Sequence, residues 1–195
     1  PPKGTINYPA KDIIVVAGGI VNFQGNVSDT DSGNPVSYKW YFSGGATDST
    51  KKDPGMITFK TPGTYKVTFT VTDADGFSDP TPPTVTVKAV HVFVGYDFVS
   101  GSEIWMTDGT KEGTKMVKDI NPFGGSVAYP KPKLTIVNGT AFFIANDGIY
   151  GDELWKSDGT EEGTMMVKDI NHGEGAAFAS YSTDTYQANE FTSVN

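Results

Sequence analysis

The chain has 195 residues, of which 37% are hydrophobic and 12% aromatic, enough to bury a core and too many for a disordered chain. Its formal net charge is −8 and every basic residue is lysine, a balance unsuited to nucleic acid or an anionic membrane surface, which favour basic faces and arginine forks. It has no cysteine, which excludes disulfides, thiolate zinc sites and thiol catalysis.

No apolar run approaches the roughly 20 residues that span a bilayer, so no membrane insertion is expected. The opening PPKGTIN shows neither an initiator Met nor a signal peptide, and is expected to be a mature N-terminus or the start of a fragment. Residues 1–88 hold 8 Lys and 8 acids, so they balance. Residues 89–195 hold 7 Lys and 15 acids and carry the whole negative charge. Such a surface suits divalent cations or neutral partners such as glycans.

Residues 1–88 alternate at period two. In VSYKWYF, Val36, Tyr38, Trp40 and Phe42 point one way. In TYKVTFTVTD, Tyr65, Val67, Phe69 and Val71 share one face, and Lys66, Thr68, Thr70 and Thr72 the other. That pattern predicts strands with one buried side. Shorter strands fit DIIVV, IVNFQ, MITFK and PTVTV, punctuated by AGG, DTDSGNP, DPG, TPG, DADG and DPTPP. The segment reads as an antiparallel β-sandwich.

The stretches AGGIVNFQGNVSDTDSGNPVSYKWYF and FKTPGTYKVTFTVTDADG, followed by TVTV, resemble the PKD domain over roughly residues 3–88. The resemblance implies an immunoglobulin-like fold that serves extracellular proteins as a spacer or adhesion module. Where many members carry an acidic or Gly-rich W-D-F-G-D-G, this chain has WYFSGG. Trp40 reads as core, in phase with Tyr38 and Phe42, in place of the disulfide that the chain lacks. Some PKD domains, notably beside bacterial collagenases, bind calcium near the interdomain end. The matching positions here are Asp29, Asp31 and Asp73, with Asn7 as a weaker fourth. Calcium takes six to eight oxygen ligands from flexible loops. The same aspartates equally suit Asx turns and hairpins.

The alternation of Val85 and Val87 changes phase to Val90, Val92 and Val94, which puts a boundary near Lys88–Ala89 with no Gly/Ser or Pro-rich linker. Beyond it the chain repeats itself. EIWMTDGTKEGTKMVKDIN (103–121) and ELWKSDGTEEGTMMVKDIN (153–171) agree at 14 of 19 positions, 50 residues apart. The lead-ins align too, matching Phe93 with Phe143, Asp97 with Asp147 and Gly101 with Gly151. Each unit reads as about four short strands, the size of a propeller blade or stacked β-repeat.

These units look like the ELWxxDGT repeats of large secreted bacterial proteins, on Glu153, Leu154, Trp155, Asp158, Gly159, Thr160, Gly163, Thr164 and VKDIN. The earlier copy has Ile104 in place of Leu. The resemblance implies secretion and names no activity. Asp108-Gly109 and Asp158-Gly159 are expected to make tight turns. Trp105 and Trp155 are expected to pack between units, with a glycan-stacking platform as the alternative. Glu103, Glu153, Asp119 and Asp169 are a second calcium candidate, against pairing of Asp119 and Asp169 with Lys118 and Lys168. The pattern stops after residue 175. Residues 176–195 are then a capping strand, a sign of a longer array, or a segment that exchanges with a neighbour's open edge.

His91 and His172 are the only histidines, and neither lies in a catalytic frame. Adjacent acids such as Asp152 and Glu153 point to opposite faces of a strand, so no carboxylate pair stands out. The glycan acceptor sequences at Asn26 and Asn138 lie inside the family motifs. The expected whole is an all-β chain: a PKD-like sandwich over 1–88, two repeats over 89–175 and a tail over 176–195. Its expected role is a non-catalytic structural or adhesion module at the cell surface. It would associate with copies of itself, as in a filament or surface layer, or with other surface proteins. The alternative is a carbohydrate-binding accessory region of a secreted enzyme.

Overall fold

The computed structural model describes residues 1–29, 35–127, 134–170 and 172. Among them all regular secondary structure is β-strand. The chain divides into two compact units, Pro1–Ala89 and Val90–Asn195. The tail, 176–195, lies outside the described residues, as does Asp31.

The first unit contains β1 (Lys3–Tyr8), β2 (Ile13–Val16), β3 (Gly19–Ser28), β4 (Pro35–Tyr41), β5 (Gly55–Phe59), β6 (Gly63–Asp73) and the start of β7 (Thr84–Asp97). One sheet runs β1-β3-β5; in the other, β6 lies between β4 and β7, and β2 also pairs with β7. The ladders of β3 with β1 and β5, and of β6 with β4 and β7, are antiparallel. The period-two pattern explains the layering. Along β6, Val67, Phe69 and Val71 are buried while Lys66 and Thr64 are exposed.

Trp40 is fully buried among Phe23, Phe42, Phe59 and Phe69. Its ring stacks on Phe69 at 4.4 Å and meets Phe23 edge-on at 5.4 Å, both favoured aromatic geometries. Its indole N–H donates to the Lys52 carbonyl at 3.1 Å, so the buried donor is satisfied. Phe42 lies past the end of β4 yet is fully buried. Gly25 is glycine because a Cβ there would stand 2.6 Å from the Phe69 ring.

The described strands of the second unit belong to the two repeats. From His91 onward β7 pairs with β8 (Gly101–Thr107), and β8 with β9 (Lys115–Lys118). The second copy is the four-stranded sheet β10 (Thr135–Val137), β11 (Thr140–Asn146), β12 (Asp152–Ser157) and β13 (Met165–Lys168). The registers match: Phe93 faces Trp105 as Phe143 faces Trp155, and both copies have an irregularity just before the tryptophan. Asn138 and Gly139 both take positive φ in the two-residue β10–β11 turn, as a tight hairpin requires. Fifty residues earlier, 85–89 make no such turn and run straight on within β7. The change of burial phase falls between Ala89 and Val90, inside one unbroken strand.

Candidate functional site

Three sets of residues are candidates: the carboxylates at one end of the sandwich, the repeated Asp-Gly loops, and the paired tryptophans.

Asp29 follows β3 directly, and Asp73 is the last residue of β6. They lie at the same end of the first unit, because Lys3 pairs with Ser28 and Gly4 sits against Val71. Asn7 does not join them. It sits at the irregularity between the Ile6–Gly25 and Tyr8–Gln24 pairs, four residues from the Asp29 end, or about 13 Å along an extended strand. Asp73 is buried, and its Oδ1 accepts the amides of Asp75 at 3.0 Å and Phe77 at 2.8 Å. That oxygen shapes the DADG turn, as an Asx turn does. Among the described residues no three His, Cys, Asp or Glu side chains converge as a metal site.

The repeated tag DGTxEGT is a loop that holds itself together. Asp158 Oδ1 accepts the Thr160 amide at 2.9 Å and its hydroxyl at 2.7 Å. Thr160 Oγ1 accepts the Gly163 amide at 2.9 Å, and the Thr164 hydroxyl donates to the Thr160 carbonyl at 2.7 Å. The Ser157 and Thr164 hydroxyls bond each other at 2.8 Å, and Ser157 Oγ accepts the Gly159 amide at 3.1 Å. The first copy repeats every one of these bonds through Thr107, Asp108, Gly109, Thr110, Gly113 and Thr114. Gly109 and Gly159 take φ of 91° and 89°, a conformation that other residues resist. Gly113 and Gly163 are glycine for a different reason: a Cβ on either would overlap the aspartate carboxylate of its own loop.

The tryptophans differ in exposure although their registers match. Trp155 is 6% exposed and its cross-strand partner Phe143 is 0% exposed. In the first copy Phe93 is 37% exposed and Trp105 is half-buried. The Trp105 ring lies over Gly95, where a Cβ would stand 2.6 Å away. Trp155 is closed to a stacking ring, while Trp105 keeps part of its surface open. Both indole N–H groups are buried without an acceptor among the described residues.

Glu103 and Glu153, the acids of EIW and ELW, are fully buried. Glu103 accepts the Ile120 amide at 3.1 Å, the Ser126 amide at 2.8 Å and the Ser126 hydroxyl at 2.5 Å. Glu153 accepts the Ile170 amide at 3.0 Å in the same way. Burial raises the Glu103 pKa above the ordinary glutamate value; the three donors pull against it, and nearby Asp119 adds to the rise. This acid ties its own hairpin to the chain beyond VKDIN. Lys118 does not pair with Asp119 as the sequence suggested. Its ammonium reaches into the second copy and donates to the Thr164 carbonyl at 2.9 Å.

Asp79 carried no sequence signal. It is buried in the DPTPP loop, where Oδ2 accepts the Gly4 amide and Oδ1 the Thr81 amide, both at 2.8 Å. Asp12, Asp48 and Asp53 likewise accept the amides of Thr86, Phe42 and Gly25. Much of the acidic composition therefore serves the backbone. His91 is exposed, and His172 Nδ1 lies 3.3 Å from Asp169 Oδ2 at the surface. Asp152 accepts from the Asn146 side chain, on the opposite face from Glu153.

Residues 5–88 match the PKD domain family model. The matched segment is the first unit, less its first four residues and Ala89. No curated protein matches the chain. Among solved structures it is similar to the fibronectin(III)-like modules of CbhA from Clostridium thermocellum. The identity is 15% and the TM-score 0.37, over 44% of this chain and 94% of that one. No helix among the described residues is long and apolar enough to cross a membrane.

Proposed function

We propose that this chain is a non-catalytic structural or adhesion module of an extracellular, cell-surface protein, in which the second unit is a stack of ELWxxDGT-type repeats. One observation carries the reading: the residues that make the repeat recognisable are consumed inside the fold. The aspartates, threonines and glycines of the tag bond one another. The glutamates hold main-chain amides, and Trp155 and Phe143 are covered. A repeated ligand site would instead hold its distinctive side chains open to solvent. The PKD match supports the same reading, since domains of that type serve as non-catalytic extracellular modules.

The test is tryptophan emission across a panel of polysaccharides, with the whole chain. A module of this kind leaves the emission unchanged. Saturable quenching that disappears in Trp105→Phe would overturn it in favour of a carbohydrate-binding region.

A further inference from the structure

The two copies agree at 14 of 19 positions of the tag yet differ in exposure. On the tryptophan-bearing face, the second copy is closed: Ala141, Phe143, Trp155, Ser157 and Thr164 are all buried. Of the matching residues of the first copy, His91, Phe93 and Thr114 are exposed and Trp105 and Thr107 half-buried. On the other face the order reverses. In the first copy Val92, Ile104 and Met106 are buried, as are Val117 (8%) and Ile120 (5%) at its edge. In the second copy Phe142, Ile144 and Leu154 are only half-buried. At its edge Val167 is 46% and Ile170 52% exposed.

Hydrogen bonds join the two copies inside the second unit. Lys118, opposite Ile104 on the far face of the first copy, donates to the carbonyl of Thr164, whose hydroxyl bonds Ser157 on the tryptophan face of the second. The Asn146 amide adds a bond to the Ser126 carbonyl at 2.8 Å. Among the described residues, the first copy keeps His91, Phe93 and Thr114 exposed on its tryptophan face, and the second keeps a half-buried far face with Lys168 exposed beside it.

We infer that these leftover faces bind each other between chains: the far face of the second copy takes the tryptophan face of the first copy in a second molecule, with Lys168 reaching the Thr114 carbonyl. The occupant follows from complementarity, because the same two faces are already joined once within the molecule, through the Lys118–Thr164 bond. The contact is head-to-tail and uses different patches on the two partners, so it propagates unless its rotation closes a ring. This rests on the structural reading above and names the partner as another copy of this chain.

The chain has no cysteine, so single cysteines report the geometry cleanly. The variants Thr114→Cys and Lys168→Cys are mixed, treated with a short bismaleimide and compared with each variant alone. The mixture should give cross-linked dimer and the separate variants little or none. Sedimentation velocity of the native chain should show a weight-average size that rises with concentration. Val167→Asp with Ile170→Asp should weaken that association at least tenfold while leaving the circular dichroism unchanged, since both positions are already exposed. A monomer at every concentration, equal cross-linking of Thr114→Cys alone, or association unaffected by the double variant would overturn the inference. Loss of the module reading shows separately, as tryptophan quenching by a glycan.

Discussion

Replacing Gly163 with alanine tests whether the repeated loop is held by its own side chains. A Cβ there overlaps the Asp158 carboxylate, so the carboxylate must leave. It then abandons the Thr160 amide and hydroxyl. Hydrogen bonds to a charged group contribute about 1.5–3 kcal/mol each. Asp158 is exposed, which reduces the pair to about 2 kcal/mol in total. Gly163→Ala should cost about that much, and Asp158→Ala about the same, since each removes the same two bonds. The double variant should cost no more than either single one, because alanine at 163 fits once the carboxylate is gone. The interaction energy of the cycle is then about 2 kcal/mol, of a sign opposite to further damage. Urea unfolding followed by tryptophan emission measures all four proteins. Additive losses would refute the reasoning, since they would mean that Gly163 is glycine for a reason unconnected with Asp158.

Three further outcomes are expected. Trp40→Ala should destabilise the first unit by about 3–5 kcal/mol, the range for a large aromatic removed from a packed core, with a fall in the thermal midpoint of that unit as the readout. Lys118→Met should cost about 1–2 kcal/mol through loss of its bond to the Thr164 carbonyl, whereas Lys168→Met in the dilute monomer should cost little; chemical denaturation of the two variants separates them. Glu103 has a folded pKa raised by burial, so the folded state holds its proton more tightly than the unfolded chain does. Its contribution is fully present below the ordinary glutamate value and is lost as pH rises through the folded pKa. Glu103→Gln should flatten that part of the stability profile, measured by denaturation at a series of pH values.

Much of the first unit was legible because alternation at period two has one physical meaning: a strand with one face in the core. Trp40, Phe69 and Val71 follow directly from it. The 50-residue repeat was legible too, and so was the turn at Asp158-Gly159, where glycine accepts a conformation that other residues resist. The role of Gly163 was not. Its φ is unremarkable, and only the folded loop brings the Asp158 carboxylate over its Cα. Asn7 was drawn toward the calcium set by family position, and register alone removes it. Asp79 meets Gly4 across 75 residues of chain, a distance that no local pattern encodes.

By itself the sequence determined the all-β class, the repeat and its period, and the side chains bound for a core, since each of these is a local regularity of polarity or backbone freedom. Only the tertiary structure decided the fate of the copies. Val117 and Val167 are the same residue in the same motif, one buried and one exposed. Burial depends on which neighbour a surface meets: Lys118 beside Val117 is bonded to the second copy, while the matching Lys168 beside Val167 is exposed.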